Sequence, residues 1–234
     1  MCTIGAARLS HTYIFKNRDP IRGTPLEEWI DMIEYKSKKF LVIKNHLGCY
    51  GALNQEGVGA VGTYVNMIAG QNNYYDGNNL LDILYKGNIS AVKKYLQCNP
   101  KKFYGNMLCS DGDLTYAFEL NGEEVVCLLI DDKYIMTNHF QKINKTIRTI
   151  SDSFIKSWTE KRLLRGKSLI EAVTSCNDIK KLLSDHEGYP DFSICNHGHI
   201  HTASSYIIDC TKKSILYCSG CPCENDYIEY DFRI

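Results

Sequence analysis

The residue best placed to do chemistry is the cysteine at position 2. The sequence begins MCTIGAARLS, and a small second residue permits removal of the initiator Met1. Cys2 would then carry a thiol and a free α-amine together. Because the unperturbed pKa of an α-amine is about 7.7 to 8.0, this amine can accept the thiol proton near neutral pH. The segment therefore predicts a cysteine nucleophile that carries its own base, provided that Met1 is removed.

An arginine and an aspartate, Arg18 and Asp19 of the segment KNRD, are the next residues that could serve this nucleophile. The segments CTIGAARLS and HTYIFKNRD are rich in β-branched and aromatic residues, which predicts a hairpin. Its second strand would return Arg18 and Asp19 to the side of Cys2. A cation there favours thiolate over thiol, and a carboxylate can hold the ammonium or the arginine. The alternative is an exposed ion pair, which contributes only about 0 to 1 kcal/mol.

The rest of the chain supplies alternating groups of strands and helices that could position these residues. Two short helices separated by Gly87 and Asn88 are predicted over 78–97, and strand-like runs lie on either side of them: KKFLVIKN, GALNQEGVGAVGTYVN, NMLCS, LTYAFEL, EEVVCLLI and KYIMTN. Helical spacing returns over 151–164 and 168–183, and SSYIIDC and SILYCSG indicate a closing hairpin. Blocks of antiparallel strands separated by helix pairs favour a layered α+β fold. We expect one domain over 1–234.

Five ordered segments together resemble a known enzyme family. They are MCT, KNRD, GALNQEGVGAVGTYVN, YIMTNHF and ICNHGHIHTASSYIIDCTKKSILYCSGCPC, which lie at both ends and in the middle of the chain. Together they resemble the N-terminal-nucleophile (Ntn) hydrolases of the acyl-coenzyme A:isopenicillin N acyltransferase family, and more distantly the choloylglycine hydrolases. The resemblance implies a four-layer αββα sandwich of two antiparallel sheets. It also implies hydrolysis of a linear amide or thioester, or acyl transfer from it, through an acyl-cysteine, without a cofactor and in secondary metabolism.

The resemblance assigns catalytic roles to four residues. It makes Cys2 the nucleophile and its α-amine the proton shuttle, and it matches Arg18 and Asp19 to the family's early NRD-like segment. Asn138 of TNHF matches the asparagine that these enzymes place near the nucleophile's amine. In one respect the sequence departs from the acyltransferases, which expose their cysteine by cutting an internal Gly-Cys bond. Cys2 needs only the removal of Met1, as in choloylglycine hydrolases.

The oxyanion donor and the substrate pocket have several candidate residues. Asn66 and Tyr64 are two residues apart and so share a face of one strand, and either could donate to the oxyanion. Tyr74 lies in a loop rich in glycine and asparagine that either covers an apolar acyl group or is a plain exposed connection. His139, next to Asn138, is expected in the core or at the substrate pocket.

The segment HGHIH provides the main rival hypothesis. On a strand, His197, His199 and His201 would face one side, where they could bind zinc with a fourth ligand from CSGCPC and act as a zinc-dependent hydrolase. The family resemblance, however, accounts for a histidine before the T-x-x-S strand and for a G-x-P-C end as structural features. We therefore interpret the histidines as structural or pocket-lining, with His197 at the substrate pocket, and assign no metal. A non-catalytic binding protein on the same fold is a third hypothesis.

Composition limits the classes of partner. The 27 Lys and Arg residues balance 27 Asp and Glu residues, so no overall field attracts nucleic acid or an anionic membrane. Neither a signal peptide nor a membrane span is indicated, and we expect a cytoplasmic protein. The 11 cysteines are odd in number, which favours reduced thiols over a disulfide framework. The expected partner is a small-molecule amide or acyl thioester, and the oligomeric state, a homo-oligomer included, is left open.

Overall fold

Two antiparallel β-sheets form the centre of the fold in this computed structural model, which describes residues 2–24, 27–46, 48–65, 77–143 and 153–233. In chain order the strands are β1 (Cys2–Arg8), β2 (Thr12–Arg18), β3 (Trp29–Tyr35), β4 (Lys38–Asn45), β5 (Gly48–Asn54), β6 (Gly59–Thr63), β7 (Gly105–Ser110), β8 (Thr115–Leu120), β9 (Val125–Ile130), β10 (Lys133–Met136), β11 (Ser204–Asp209), β12 (Ser214–Ser219) and β13 (Ile228–Asp231). The helices are α1 (Gly77–Leu84), α2 (Ile89–Cys98), α3 (Ser153–Ile170) and α4 (Cys176–Leu183), with a 3₁₀ turn over Pro100–Lys102.

The first sheet has the amino-terminal hairpin near its middle, and it contains the strands that position the candidate site. Its order is β10-β1-β2-β11-β12-β13, with antiparallel neighbours throughout. In the predicted hairpin Cys2 lies opposite Arg18. Ile4 pairs with Met136 of β10, and Arg18 pairs with Ser204 of β11. The residues just after β10 and just before β11 therefore lie beside the start of β1.

The second sheet is a meander in which β3 to β9 lie in sequence order. β7 approaches the end of β6 unusually closely. Gly105 begins β7 with a φ of +132°, and a Cβ atom there would lie 2.3 Å from the carbonyl oxygen of Thr63. Only glycine permits this approach. It fixes the position of Thr63, whose hydroxyl contacts the candidate site.

Hydrophobic clusters show that the two sheets are stacked and that helices cover both outer faces. Between the sheets, side chains of the first sheet pack against those of the second, including Ile4, Ile14, Leu53 and Leu108. α1 and α2 cover the second sheet, with Leu84 and Val92 in contact with the cluster around Phe118. α3 and α4 cover the first sheet, through residues such as Leu163, Ile179 and Phe15. This four-layer αββα arrangement confirms the predicted α+β sandwich.

Several element boundaries differ from the sequence predictions. The break between the last two helices falls after Ile170 rather than near 165, because α3 continues through Gly166 and α4 begins only after the N-cap Ser175. The Ser175 side chain accepts a hydrogen bond from the N–H of Asp178. β6 ends at Thr63, three residues before the predicted end of that strand. No helix among the described residues is both long and apolar enough to cross a membrane.

Candidate active site

Cys2 is the first residue of β1 and is 3% exposed. Its backbone N–H donates a 2.8 Å hydrogen bond to Oδ1 of Asn138, which follows β10. This nitrogen is the atom that becomes the α-amine when Met1 is removed. The fold thus joins residues 136 positions apart at the atom on which the predicted chemistry depends.

The side chain of Asn138 is completely buried and held at both ends. Its Oδ1 accepts a second hydrogen bond, from Nη2 of Arg162 at 2.8 Å. Its Nδ2 donates to Oγ1 of Thr63 at 2.6 Å and to the carbonyl oxygen of Tyr64 at 2.7 Å. Because an amide nitrogen has two hydrogens, both donors of Asn138 are used. The amide is therefore fixed so that its oxygen faces the Cys2 nitrogen, and its nitrogen is not available to a substrate oxygen.

Arg162 of α3 links these groups to Asp19 and is itself 0% exposed. Its Nη1 donates to Oγ1 of Thr3 at 2.7 Å and to Oδ2 of Asp19 at 3.0 Å. The other carboxylate oxygen of Asp19 accepts from the hydroxyl of Thr202 at 2.8 Å. We call Asp19, Asn138 and Arg162 the polar cage, because charge-assisted hydrogen bonds of Arg162 link Asp19 to the Asn138 oxygen that contacts the Cys2 nitrogen.

Burial dominates the protonation behaviour of the polar cage. It lowers the pKa of Arg162 to about 10, even though Asp19 and Cys2 act in the opposite direction. The guanidinium therefore remains charged near neutral pH. Burial likewise raises the pKa of Asp19, and the attraction of Arg162 opposes this rise. The arginine is thus the main side-chain charge that favours the ionised form of this fully buried carboxyl group.

Sequence reasoning missed Arg162, although a signal for it exists. The buried stripe of α3 contains Trp158, Arg162, Gly166 and Ile170 at intervals of four residues, so the arginine stands in the core-facing row of the helix. Its guanidinium carbon lies 3.3 Å from the centroid of the Trp158 ring. A charged residue in such a row is unusual unless it is paired.

A second missed residue is Lys16, a lysine that is only 1% exposed. Lys16 and Arg18 are two residues apart on β2, and Arg18 is opposite Cys2, so all three side chains face the interior between the sheets. The ammonium lies 3.4 Å from the carbonyl oxygen of Tyr50 and 5.6 Å and 5.8 Å from the ring centroids of Tyr50 and Tyr206. Lys16 is the first residue of the segment KNRD, but no role was predicted for it from the sequence.

These cations set the protonation of the thiol. Burial by itself raises the pKa of Cys2, but the pKa is nevertheless lowered, because Lys16, the amino-terminal ammonium and Arg18 favour the thiolate and together outweigh the effects of burial and Asp19. Lys16 contributes more than Arg18. Burial also lowers the pKa of Lys16, and the neighbouring Cys2 opposes this change. The charged forms of Cys2 and Lys16 therefore favour one another.

Arg18 is engaged mainly with Glu28, a buried acid that sequence reasoning did not select. Nε of Arg18 lies 2.5 Å from Oε1 of Glu28, whose other oxygen accepts from the hydroxyl of Ser204 at 2.5 Å. The guanidinium stacks on Tyr50, with 4.2 Å between its carbon and the ring centroid. Burial would lower the pKa of Arg18, but Glu28 and Cys2 raise it. Nη1 of Arg18 is buried and has no hydrogen-bond partner among the described residues.

The other candidate residues are distributed unevenly. Tyr64 is half-buried beside the site, and burial raises its pKa, with Tyr50 and Cys2 adding to the increase. His139 contacts hydroxyl groups, with its Nδ1 at 3.0 Å from Oγ1 of Thr159. Asn66 and Tyr74 lie outside the described residues, so the expected oxyanion donor Asn66 and the expected acyl-covering Tyr74 stay predictions.

His197 lies in a group of potential metal ligands that we call the Cys/His cluster, consisting of His186, Cys195, His197 and Cys223. The expected alternation of three histidines on one strand face is wrong, because the chain turns back on itself and His197 pairs with His201 in an isolated antiparallel bridge. Among the described residues, neither His199 nor His201 belongs to a group of potential metal ligands. The zinc set of three histidines proposed from HGHIH is therefore not formed.

No protein-family model matches the sequence, and no curated protein matches it. Penicillin V acylase from Agrobacterium tumefaciens has a similar structure, with a TM-score of 0.62 and 11% identity over 99% of this chain and 86% of that one. A mutant of conjugated bile acid hydrolase from Clostridium perfringens gives a TM-score of 0.59 and 12% identity over 100% and 97% of the two chains. The Caenorhabditis elegans N-acylethanolamine-hydrolyzing acid amidase ortholog gives 0.53 and 9% over 89% and 93%.

At these identities the likeness shows the fold alone. The three neighbours are Ntn hydrolases, but membership in the acyl-coenzyme A:isopenicillin N acyltransferase family is not confirmed. The two stacked antiparallel sheets and their covering helices agree with those neighbours over nearly the whole chain. The protein has the Ntn-hydrolase fold.

Proposed function

We propose that the protein, after removal of Met1, is an N-terminal-cysteine amidohydrolase that cleaves a linear amide through an acyl-cysteine. The observation that carries the proposal is the 2.8 Å hydrogen bond between the Cys2 nitrogen and Oδ1 of Asn138. An amine at this atom would be oriented by a buried, fully hydrogen-bonded amide oxygen and would lie beside its own thiol. The neighbours' names, which include an acylase and an acid amidase, favour an amide over other acyl derivatives.

The first half of the reaction forms the acyl-enzyme. The α-amine of Cys2 takes the thiol proton, and the thiolate attacks the carbonyl carbon, so that the new C–S bond forms and an oxyanion develops. The ammonium then donates its proton to the leaving nitrogen as the C–N bond breaks. Lys16 and Arg18 stabilise the thiolate before attack, and Asn138 keeps the amine in the orientation that both proton transfers need.

The second half returns the enzyme to its starting state. The free α-amine accepts a proton from water, the resulting hydroxide attacks the acyl carbon, and the C–S bond breaks to release the acid and the thiolate, which takes the proton back from the ammonium. An amine in place of water would give acyl transfer, and a thioester would enter by the same route with a thiol as leaving group. The outcome depends on how well the site excludes water.

The oxyanion requires a donor other than Asn138, because both hydrogens of its Nδ2 are already used. Asn66 and Tyr64 are the proposed donors. Arg18 is a further group that can contact substrate, since its Nη1 is buried without a hydrogen-bond partner among the described residues. We therefore assign Arg18 a second role, at the polar end of a small-molecule substrate, beside its smaller contribution to the thiolate form of Cys2.

Activated acyl donors test the acyl-cysteine before the natural substrate is known. A series of p-nitrophenyl esters of increasing acyl length should give a burst of p-nitrophenol, and acid quenching should leave an acyl adduct on the Cys2 peptide. Cys2→Ala should abolish both. Cys98→Ala is the matched control, because Cys98 is an exposed thiol on α2, and it should retain both signals. Turnover by Cys2→Ala, or adducts confined to other cysteines, would contradict the proposal.

A further inference from the structure

The Cys/His cluster joins three separate parts of the chain outside the proposed chemistry. His186 follows α4, Cys195 and His197 precede β11, and Cys223 follows β12. Each residue offers one ligand atom, and the four atoms all lie within 4.8 Å of one another. Cys195 is buried, while His186 is at the surface. The cluster therefore lies where an ion could enter from solvent and be held by the interior.

The separations within the Cys/His cluster match those around a tetrahedral metal. Zn²⁺ binds sulfur at about 2.3 Å and imidazole nitrogen at about 2.0–2.1 Å, which puts neighbouring ligand atoms roughly 3.3–3.8 Å apart. Nε2 of His197 lies 3.1 Å from Nε2 of His186, 3.5 Å from Sγ of Cys195 and 3.3 Å from Sγ of Cys223. The two sulfur atoms are 3.6 Å apart. An ion could thus be bound with only small shifts of these side chains.

The surroundings of His197 are also those of a metal ligand. While its Nε2 faces the cluster, its Nδ1 lies 3.6 Å from Oε1 of Glu224 and 3.7 Å from Sγ of Cys221. Metal-binding histidines commonly have such a partner on the second ring nitrogen, which orients the ring. Arg22 fixes the backbone, because it donates hydrogen bonds to the carbonyl oxygens of His197 and Gly198.

A cluster held only by hydrogen bonds is the simpler alternative, but it explains less. Two neutral imidazoles that face each other through Nε2 share a single hydrogen, and thiols are weak donors and acceptors. Weak hydrogen bonds of this kind do not explain why four potential zinc ligands lie at the spacing of a tetrahedral site. Two cysteines with two histidines are a ligand set that selects zinc over hard cations.

We propose that the Cys/His cluster is a structural zinc site. Four protein ligands leave no open coordination position, so the ion would hold chain segments together and would not activate water. Binding of Zn²⁺ forms two Zn–S and two Zn–N bonds and releases the two thiol protons. The segment it clamps continues to Thr202, whose hydroxyl donates to Asp19 at 2.8 Å. The ion would therefore stabilise a neighbour of the polar cage.

Elemental analysis tests the zinc site directly. Full-length protein incubated with Zn²⁺ and a phosphine reductant, then freed of excess metal, should hold one zinc per chain. His186→Gln and Cys223→Ser should each reduce the zinc content well below one per chain and lower the unfolding temperature. His199→Gln and Cys98→Ser change exposed residues of the same types outside the cluster, and both should retain the metal.

Cobalt provides a second readout that does not depend on stability. Co²⁺ added to the reduced protein should give thiolate-to-metal and tetrahedral d–d absorption, and Cys223→Ser should weaken the thiolate band. Substoichiometric zinc in the reduced wild-type protein would overturn the proposal, as would full retention of zinc by both ligand variants. A Cys195–Cys223 disulfide without metal uptake after reduction would replace it with a redox pair. None of these readouts uses turnover, so they stand or fall independently of the proposed hydrolase.

Discussion

Replacing Arg162 by methionine tests the polar cage, which holds the Asn138 oxygen against the Cys2 nitrogen. The substitution approximately preserves the length of the side chain but removes three hydrogen bonds, to Thr3, Asp19 and Asn138, and the positive charge. Both Arg162 and Asp19 are 0% exposed, so water cannot take the place of the lost partner. The carboxylate of Asp19 would remain buried without its cation.

The expected loss of stability is large. Removing one partner of a buried ion pair costs about 3–5 kcal/mol, because the other charge is left uncompensated. Arg165→Met is the matched control on the same helix, since Arg165 pairs with Asp185 and Glu187 while its side chain is 27% exposed. Because Arg165 and Asp185 are only partly buried, water can solvate the charge that remains, so the loss should be smaller than at Arg162. The two arginine variants should therefore differ in unfolding free energy by several kcal/mol.

The loss at Arg162 should also depend on pH. Burial raises the pKa of Asp19 above that of the unfolded chain even in the presence of Arg162, so the folded state holds this proton more tightly. The contribution of Asp19 to the stability of the folded protein is therefore highest below the pKa that Asp19 has in the unfolded chain. It falls as pH rises from that value through the pKa that Asp19 has in the folded protein. Without Arg162 the folded pKa rises further. The stability that Arg162→Met loses relative to the wild type should therefore grow with pH. Between the unfolded and the folded pKa of Asp19 in the variant, this growth is at most about 1.4 kcal/mol per pH unit.

Urea unfolding followed by circular dichroism, between pH 4 and pH 8, measures this dependence. Wild type, Arg162→Met, Asp19→Asn and the double variant form a cycle, and Arg162→Lys retains the charge if the methionine variant is too unstable. The double variant should be more stable than the sum of the single losses implies. A deficit that is independent of pH, or losses that simply add, would refute the assignment of Arg162 and Asp19 as a coupled buried pair.

Three further predictions concern the reacting atoms. Lys16→Met should raise the pKa of the Cys2 thiol more than Arg18→Met does, because Lys16 favours the thiolate more strongly. The pH dependence of alkylation measures this pKa, and a larger effect of Arg18→Met would contradict the prediction. Asn138→Ala should cost about 1–3 kcal/mol for each buried donor left unpaired, and kcat should fall beyond the unfolded fraction, which parallel activity and unfolding curves would reveal. Equal losses would make Asn138 purely structural. Cys2→Ala should lose turnover while its circular dichroism stays that of the wild type.

Much of the fold could be predicted from local patterns. The amino-terminal hairpin, the meander after the first helices and the closing hairpin each follow from strand-like runs and their turns. β3 was missed, because the sequence WIDMIEY places charged residues among apolar ones and its side chains are only partly buried at the edge of the second sheet. β13 was missed for a similar reason, since IEYD is short, none of its residues is buried, and it is an edge strand of the first sheet.

The residues of the candidate site likewise differ in whether a local sequence pattern marks them. Cys2, Asp19 and Asn138 were identified because motifs mark them, and the structure brings all three together with Arg162. Arg162 and Lys16 carry no local mark, since charged side chains are normally exposed and only tertiary contacts bury them. The partners of Arg162 lie up to 159 residues away in sequence. Such pairing follows from the stacking of α3 on the first sheet, which single-sequence patterns do not encode.

The central claim is that Cys2 becomes an amino-terminal nucleophile. Mass spectrometry of the intact protein, before and after brief exposure to limiting iodoacetamide, tests it most directly when peptide mapping locates the label. The account predicts that Met1 is absent and that Cys2 reacts before the exposed Cys98, because its pKa is lowered. Retained Met1, with Cys2 no more reactive than Cys98, would contradict the account and leave a hydrolase fold without hydrolase chemistry.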